Sequence, residues 1–127
     1  MRVLSGGEND RMDVRLLVIE ACPNEGTAAT LLRRALNDVG LARVPFETEV
    51  VTGLEQAQAL GFVGSPTFLI DGLDPFGEPG RLPALACRVY RSAAGAAAVP
   101  DIGPLRQALK RAADPADSAP LPVTTLT

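Results

Sequence analysis

The sequence contains no histidine, and this absence removes a large part of common enzyme chemistry. Without an imidazole, the chain has no Ser-His or Cys-His catalytic pair, no histidine-ligated zinc and no imidazole base. Only two cysteines, Cys22 and Cys87, and one tyrosine, Tyr90, are present. Any chemistry must therefore depend on thiols, carboxylates, backbone groups or that single phenol.

Long apolar runs and basic clusters are also missing. No stretch approaches the roughly 20 apolar residues of a membrane span, and the N-terminal MRVLSGGENDRM lacks the apolar core of a secretory signal. A net charge of −3 argues against a nucleic-acid or anionic-membrane surface. We therefore expect a cytoplasmic protein with neither kind of partner, in which a lasting structural disulfide is not expected.

The length of 127 residues suits one domain with one core. We expect that domain at 14–113, between a flexible lead-in at 1–13 and a flexible Pro-rich tail at 114–127. Four strands are predicted, at 14–20, 45–51, 65–72 and 87–91. Three helices are predicted after Pro23, after a Thr52–Glu55 capping box and after Asp101, the first two ending at Gly40 and Gly61.

The predicted order is β-α-β-α-β-β-α, which makes this an α/β protein. A strand, helix, strand unit gives a parallel pair, and the last two strands are expected to be antiparallel to each other. The prolines and glycines of 73–86 indicate a loop between those two strands, and 92–100 reads as a small-residue link. Helices on both faces of a mixed four-stranded sheet would form a three-layer sandwich.

The chemistry-bearing stretch is LLVIEACPNEGT, at 16–27, where a buried strand ends on Cys22. Proline is favoured at the first helical position, so Pro23 predicts that Cys22 is the N-cap residue. Backbone N–H groups and the helix dipole stabilise a thiolate there. The alternative is a small buried apolar residue, the usual role of a free cysteine.

The stretch ACPN, followed about forty residues later by GSPTFLIDG, resembles the thioredoxin-like fold from about residue 14 to 113. The resemblance implies that Pro66 is cis and faces Cys22 across an exposed backbone edge. It further implies that Pro23, Ser65, Pro66 and Thr67 position an extended substrate. The alternative is a trans proline that simply begins a strand.

The sequence departs from that family at Glu25, which occupies the place of the second cysteine in C-x-x-C. Glu25 is open to two interpretations, a helix-capping residue or a proton donor or acceptor beside Cys22. Cys87 is also open to two interpretations. It is either a core cysteine remote from Cys22, or a cysteine that the 73–86 excursion returns to the edge of the sheet where Cys22 lies.

Three functions follow. The first is a thiol oxidoreductase in which Cys22 attacks a disulfide and Cys87 or a low-molecular-weight thiol such as glutathione resolves it, with no cofactor. The second follows from SPTFLIDG, DPF and LACRVY, which resemble short chains labelled alkylmercury lyase. That resemblance implies mercury-binding roles for Cys22 and Cys87 and an acid role for Glu25. The third is a non-catalytic binding module.

The remaining polar residues receive ordinary assignments. Asp71 and Asp74 are expected to make local turn hydrogen bonds. Arg88 and Arg91 are expected to be solvated strand-edge charges, with binding of an anion such as a glutathione carboxylate as the alternative. Tyr90 is expected in the core. The oligomeric state is left open.

Overall fold

The computed structural model describes residues 12–113. The predicted lead-in and tail therefore lie outside the described residues, apart from Met12 and Asp13. Met12 is buried in the main core, and the carbonyl of Asp13 accepts a hydrogen bond from the backbone N–H of Asp71.

Five strands and three helices occur in the described residues, in the order β-α-β-α-β-β-β-α. The strands are β1 (Val14–Val18), β2 (Glu47–Val50), β3 (Thr67–Ile70), β4 (Tyr90–Ser92) and β5 (Gly95–Ala97), and the helices are α1 (Glu25–Asp38), α2 (Leu54–Leu60) and α3 (Ile102–Ala113).

The main sheet has three strands in the order β2-β1-β3. β1 pairs in parallel with β2 and antiparallel with β3. The predicted parallel pair is therefore confirmed, and the molecule is an α/β protein. The apolar residues of β1 suit its central position, because a central strand is covered on both faces.

The predicted four-stranded sheet is not what forms. β4 pairs antiparallel with β5 in a separate two-stranded hairpin, and does not pair with β3. The hairpin turn is closed by Ser92, whose hydroxyl donates to the carbonyl of Gly95 and accepts from the N–H of Ala94. The small residues of β5 carry no strand signal, and so the sequence predicted a link there.

Side chains of the sheet enter two cores, as the two-residue period of a strand requires. Leu16 and Phe68 join the larger core with α1 and α3, whereas Leu17 and Leu69 join a smaller core with Ala57 of α2. The sheet is therefore covered by α1 and α3 on one face and by α2 on the other. None of the helices within 12–113 is long and apolar enough to cross a membrane.

Helix ends agree with the sequence in part. Gly40 and Gly61 follow α1 and α2 with φ angles of 83° and 69°, the left-handed geometry predicted for them. The prediction of a Thr52–Glu55 capping box is wrong, because the N-cap residue of α2 is Gly53 and no side chain makes a capping hydrogen bond there. Thr52 instead hydrogen-bonds the side-chain oxygen of Gln56 through its backbone N–H.

Candidate thiol site

Cys22 lies in the connection between β1 and α1, and only 8% of its surface is exposed. The prediction that it caps α1 is wrong, because the helix begins at Glu25 and its N-cap residue is Asn24. One extra turn separates the thiol from the helix, closed by the N–H of Glu25 donating to the Cys22 carbonyl at 3.3 Å. Ala21 reverses the chain before it with a φ of 56°, which is unusual for a residue with a side chain.

Ser65 makes the hydrogen bond to the Cys22 sulfur that was expected from the N-terminus of a helix. Its hydroxyl donates to the Sγ atom of Cys22 at 2.9 Å, and its Oγ accepts the backbone N–H of Ile19 at 3.0 Å. The N–H of Ile19 binds one lone pair of the Ser65 Oγ atom. The single hydroxyl proton of Ser65 is therefore free to point at the Cys22 sulfur.

The Ser65–Pro66 peptide bond is cis, which confirms the expectation for Pro66. Because Ser65 contacts the Cys22 sulfur, the cis bond lies beside the thiol, as expected. The phenol of Tyr90 donates to the Pro66 carbonyl and holds this segment from the other direction. The buried thiol therefore faces a segment that is fixed on more than one side.

The expected exposed backbone edge is not present. The N–H of Ser65 donates to the carbonyl of Ala86 at 2.7 Å, and the Ser65 carbonyl accepts the N–H of Arg88 at 2.9 Å. These bonds form a single parallel bridge between Ser65 and Cys87. The chain's own segment 86–88 thus occupies the edge at which an extended substrate would have paired.

The four residues expected to position a substrate therefore divide into two groups. Ser65, Pro66 and Thr67 are all buried, whereas Pro23 is exposed. The hydroxyl of Thr67 donates to the carbonyl of Gly64 at 2.6 Å. The three buried residues thus use their polar groups within the protein, and Pro23 alone is accessible.

Cys87 is exposed, so the expectation of a buried core cysteine is wrong. The 73–86 excursion returns the chain to the edge of β3 and sets Cys87 opposite Ser65 in the backbone bridge. The side chain of Ser65 in turn contacts Cys22. Both cysteines are free. Cys22 contacts the side chain of Ser65 through its sulfur, and Cys87 is paired with Ser65 through its backbone.

Glu25 is the first residue of α1, and its side chain is half-buried. The capping-box interpretation is not realised, since no side chain caps this helix. Within residues 12–113, no three Cys, Asp or Glu side chains gather into a group that could hold a metal ion. Cys22, Cys87 and Glu25 therefore do not form a three-ligand set.

Arg88 has a role that the sequence did not predict. It is buried, and its guanidinium pairs with the carboxylate of Asp74 at 2.9 Å. It also donates to the hydroxyl of Thr67 at 3.1 Å and to the carbonyl of Phe76 at 2.7 Å. The expectation of a solvated strand-edge charge is wrong for Arg88. Opposite charges at the two ends of the excursion were the only sequence signal for this ion pair.

Tyr90 is buried, as predicted, and stacks beneath the Arg88 guanidinium at 4.6 Å from its ring centroid. Desolvation by burial raises the pKa of Tyr90 well above its ordinary value. The positive charge of Arg88 opposes this shift, and the carboxylate of Asp74 adds to it. The phenol therefore stays protonated at neutral pH and keeps donating to the Pro66 carbonyl.

Comparison of the chain with protein families, curated proteins and solved structures found no match. The class of protein that this site defines therefore depends on its own geometry: a buried thiol that accepts a hydroxyl hydrogen bond, a cis-proline beside it and an exposed second thiol on the neighbouring segment.

Proposed function

We propose that this protein is a thioredoxin-like thiol–disulfide oxidoreductase with Cys22 as its nucleophile. The observation that carries the proposal is the Ser65 hydroxyl on the Cys22 sulfur at 2.9 Å, in the residue that precedes a cis-proline. The β2-β1-β3 strand order and the helices on both faces of the sheet further support a thioredoxin-like core. The absence of a fourth strand in the sheet is a departure from it.

In the first step, the Cys22 thiolate attacks one sulfur of a disulfide substrate. A mixed disulfide forms at Cys22, and the other half of the substrate leaves as a thiolate that takes a proton from water. In the second step, a second thiolate attacks the Cys22 sulfur and releases the rest of the substrate. The substrate has then gained two electrons, and two protein or small-molecule thiols have been oxidised to a disulfide.

Cys87 is the proposed second thiol, because its segment is hydrogen-bonded to the backbone of Ser65, whose side chain contacts the Cys22 sulfur. No cysteine is present in a C-x-x-C position, so resolution requires a thiol from elsewhere in the chain or from solution. Cys87 meets this requirement because it is exposed and free. Two molecules of a low-molecular-weight thiol, glutathione for example, would then reduce the Cys22–Cys87 disulfide in two exchange steps, restore both thiols and leave as their own disulfide.

The test is to treat the reduced protein with oxidised glutathione and locate the products by mass spectrometry. We expect an intramolecular Cys22–Cys87 disulfide in the parent protein and a glutathione adduct on Cys22 in Cys87→Ser. Reduction of a small disulfide by glutathione should be catalysed by the parent and abolished in Cys22→Ser. Equal catalysis by the parent and a folded Cys22→Ser variant would refute the proposal. No rate above the uncatalysed reaction with the parent would also refute it and would leave a non-catalytic binding module.

A second candidate is carbon–mercury bond cleavage, which is favoured by two free cysteines, one in side-chain contact with Ser65 and the other paired with it through the backbone. Thiolates bind a soft metal such as mercury well. The thiolates would hold the mercury of an organomercurial, and the Glu25 carboxyl would protonate the departing carbon. Benzene release from a phenylmercury compound in excess thiol, above the thiol-only rate and lost in Glu25→Gln, would support this candidate; no release would exclude it.

A further inference from the structure

A second feature of the molecule is a cavity of about 750 Å³ beside the β4–β5 hairpin. Its walls come from the 73–86 excursion, from residues 88–92 and from β5. A volume of this order is typical of sites for small organic molecules. Neither the proposed thiol chemistry nor the packing of the core uses it.

The charge of the cavity is opposite to that of the whole molecule. Its lining includes three arginines, Arg81, Arg88 and Arg91, against one carboxylate, that of Glu78. The chain as a whole carries a net charge of −3. A positive lining on an acidic protein attracts anions to this position rather than to the surface at large.

The three arginines differ in how far their charge is already neutralised. Asp74 neutralises Arg88, which is buried. Arg81 has only a 3.5 Å pair with Glu78, in which both side chains are about a third or more exposed. Among residues 12–113, no carboxylate lies within ion-pair distance of Arg91. Arg91, with support from Arg81, is therefore the cation available to a ligand.

The cavity also has an apolar part. Val89 lines it and is 62% exposed, and Tyr90 and Phe76 form a wall with their rings 5.5 Å apart. A ligand that covered Val89 would remove apolar surface from water while its charged end met a guanidinium. The cavity therefore combines the two features of a site for an organic anion.

We infer that this cavity binds a small organic oxyanion, a carboxylate or phosphate carried on an apolar body, with Arg91 as the principal cationic residue. The inference goes beyond the proposed thiol function and does not depend on it. Arginine suits either oxyanion because its planar guanidinium donates two parallel hydrogen bonds.

The test is an NMR titration of the full chain with benzoate, phenyl phosphate and benzamide, which share one aromatic body. We expect saturable shifts of amide signals around the cavity with at least one of the two anions and none with neutral benzamide. The stronger of the two anions identifies the ligand class. The inference would be overturned if neither anion gave saturable shifts, or if benzamide bound as strongly as the anions.

Three variants locate the site. Arg91→Gln should weaken binding about tenfold, the expected loss for one charge-assisted hydrogen bond. Glu78→Gln should strengthen it, since the only lining carboxylate is removed. Arg43→Gln makes the same charge change at an exposed arginine outside the cavity and should have little effect. Equal losses in the Arg91 and Arg43 variants would show a general charge effect and refute the site.

One further control separates this cavity from the thiol. Cys22→Ser should abolish the proposed disulfide chemistry and leave the benzoate and phenyl phosphate titrations unchanged. Loss of anion binding in this variant, with the fold intact, would contradict a separate site. The oxyanion site and the thiol function can therefore fail independently.

Discussion

At the scale of single residues, the proposed thiol chemistry depends on the pair formed by Ser65 and Cys22. The Cys22 sulfur is not at a helix terminus, so it lacks the group of free N–H donors that usually stabilises a reactive thiolate. Its hydrogen-bond donor is instead one hydroxyl, that of Ser65, which is oriented by the N–H of Ile19.

Replacing Ser65 by alanine should slow the reaction of Cys22 with iodoacetamide at about pH 7 by tenfold or more. A hydrogen bond to a charged group contributes about 1.5–3 kcal/mol, and this variant removes one from the attacking sulfur. The rate constant is to be measured in a Cys87→Ser background, so that only one thiol reacts.

Ser92→Ala is the matched control. Its hydroxyl is also hydrogen-bonded, to the Gly95 carbonyl at 2.7 Å, but in the exposed hairpin turn. The control should alkylate at the parental rate. A Ser65→Ala variant that reacts as fast as the control would show that the hydroxyl does not stabilise the thiolate.

Tyr90 gives the molecule a defined dependence on alkaline pH. Burial raises the pKa of the folded phenol above its unfolded value of about 10. The folded state then holds the proton more tightly than the unfolded state. The contribution of Tyr90 to the free energy of unfolding is therefore fully present below about pH 10, and it declines as the pH rises above that value.

The prediction is that the parent protein loses stability more steeply above about pH 10 than Tyr90→Phe does. Denaturant unfolding at several alkaline pH values measures this difference. Tyr90 is the only tyrosine and there is no tryptophan, so near-ultraviolet phenolate absorbance reports its ionisation alone. Phenolate absorbance that rises near pH 10 while the protein is still folded would contradict a buried phenol.

At the scale of elements, the 73–86 excursion is fastened by the ion pair between Asp74 and Arg88. The two side chains are 13% and 2% exposed, so the pair is largely removed from water. Arg88 also reaches the Thr67 hydroxyl in β3 and the Phe76 carbonyl in the excursion. One guanidinium therefore joins the loop, the sheet and the segment that carries Cys87.

Asp74→Asn should destabilise the protein by about 3 kcal/mol or more, because it leaves the buried Arg88 charge without a counter-ion. The exposed pair between Arg106 and Asp38 provides the control, with side chains 37% and 35% exposed. Asp38→Asn should cost about 1 kcal/mol or less. Similar losses of unfolding free energy in the two variants would show that breaking the buried Asp74–Arg88 pair costs no more than breaking the exposed pair.

At the scale of the whole molecule, the site exists because two distant segments approach closely at Gly64. A methyl group there would lie 2.8 Å from the Cβ atom of Arg88, and the φ of Gly64 is +142°. Only glycine permits both the contact and the conformation. This close approach lets segment 86–88 cover the backbone of Ser65.

Gly64→Ala should therefore destabilise the protein by about 1–3 kcal/mol, the usual cost of forcing extra atoms into a packed region. Gly26→Ala, in the first turn of α1 where nothing lies within 4 Å, should instead stabilise it by about 0.5–1 kcal/mol. Thermal unfolding of both variants measures the contrast. Equal melting temperatures for the two variants would show that segment 86–88 is not packed tightly against Gly64.

Local patterns were sufficient to predict the elements of the core. The apolar run at β1, the helical period of α1 and the glycines after α1 and α2 are encoded by neighbouring residues, and the structure confirms them. The β4–β5 hairpin could not be predicted in the same way. Its second strand, Gly95–Ala97, contains only small residues, and pairing with β4 rather than local propensity makes it a strand.

The sequence by itself determined which groups could act here: two thiols, no imidazole, and a proline placed to meet Cys22. The first two conclusions follow from composition, and the third was implied by the resemblance of the sequence to a known fold. Only the tertiary structure decided that Ser65 rather than a helix terminus contacts the sulfur, and that Cys87 is exposed beside Ser65. The physical reason is that these contacts join residues far apart in the chain, through hydrogen bonds and a buried ion pair that no local pattern encodes.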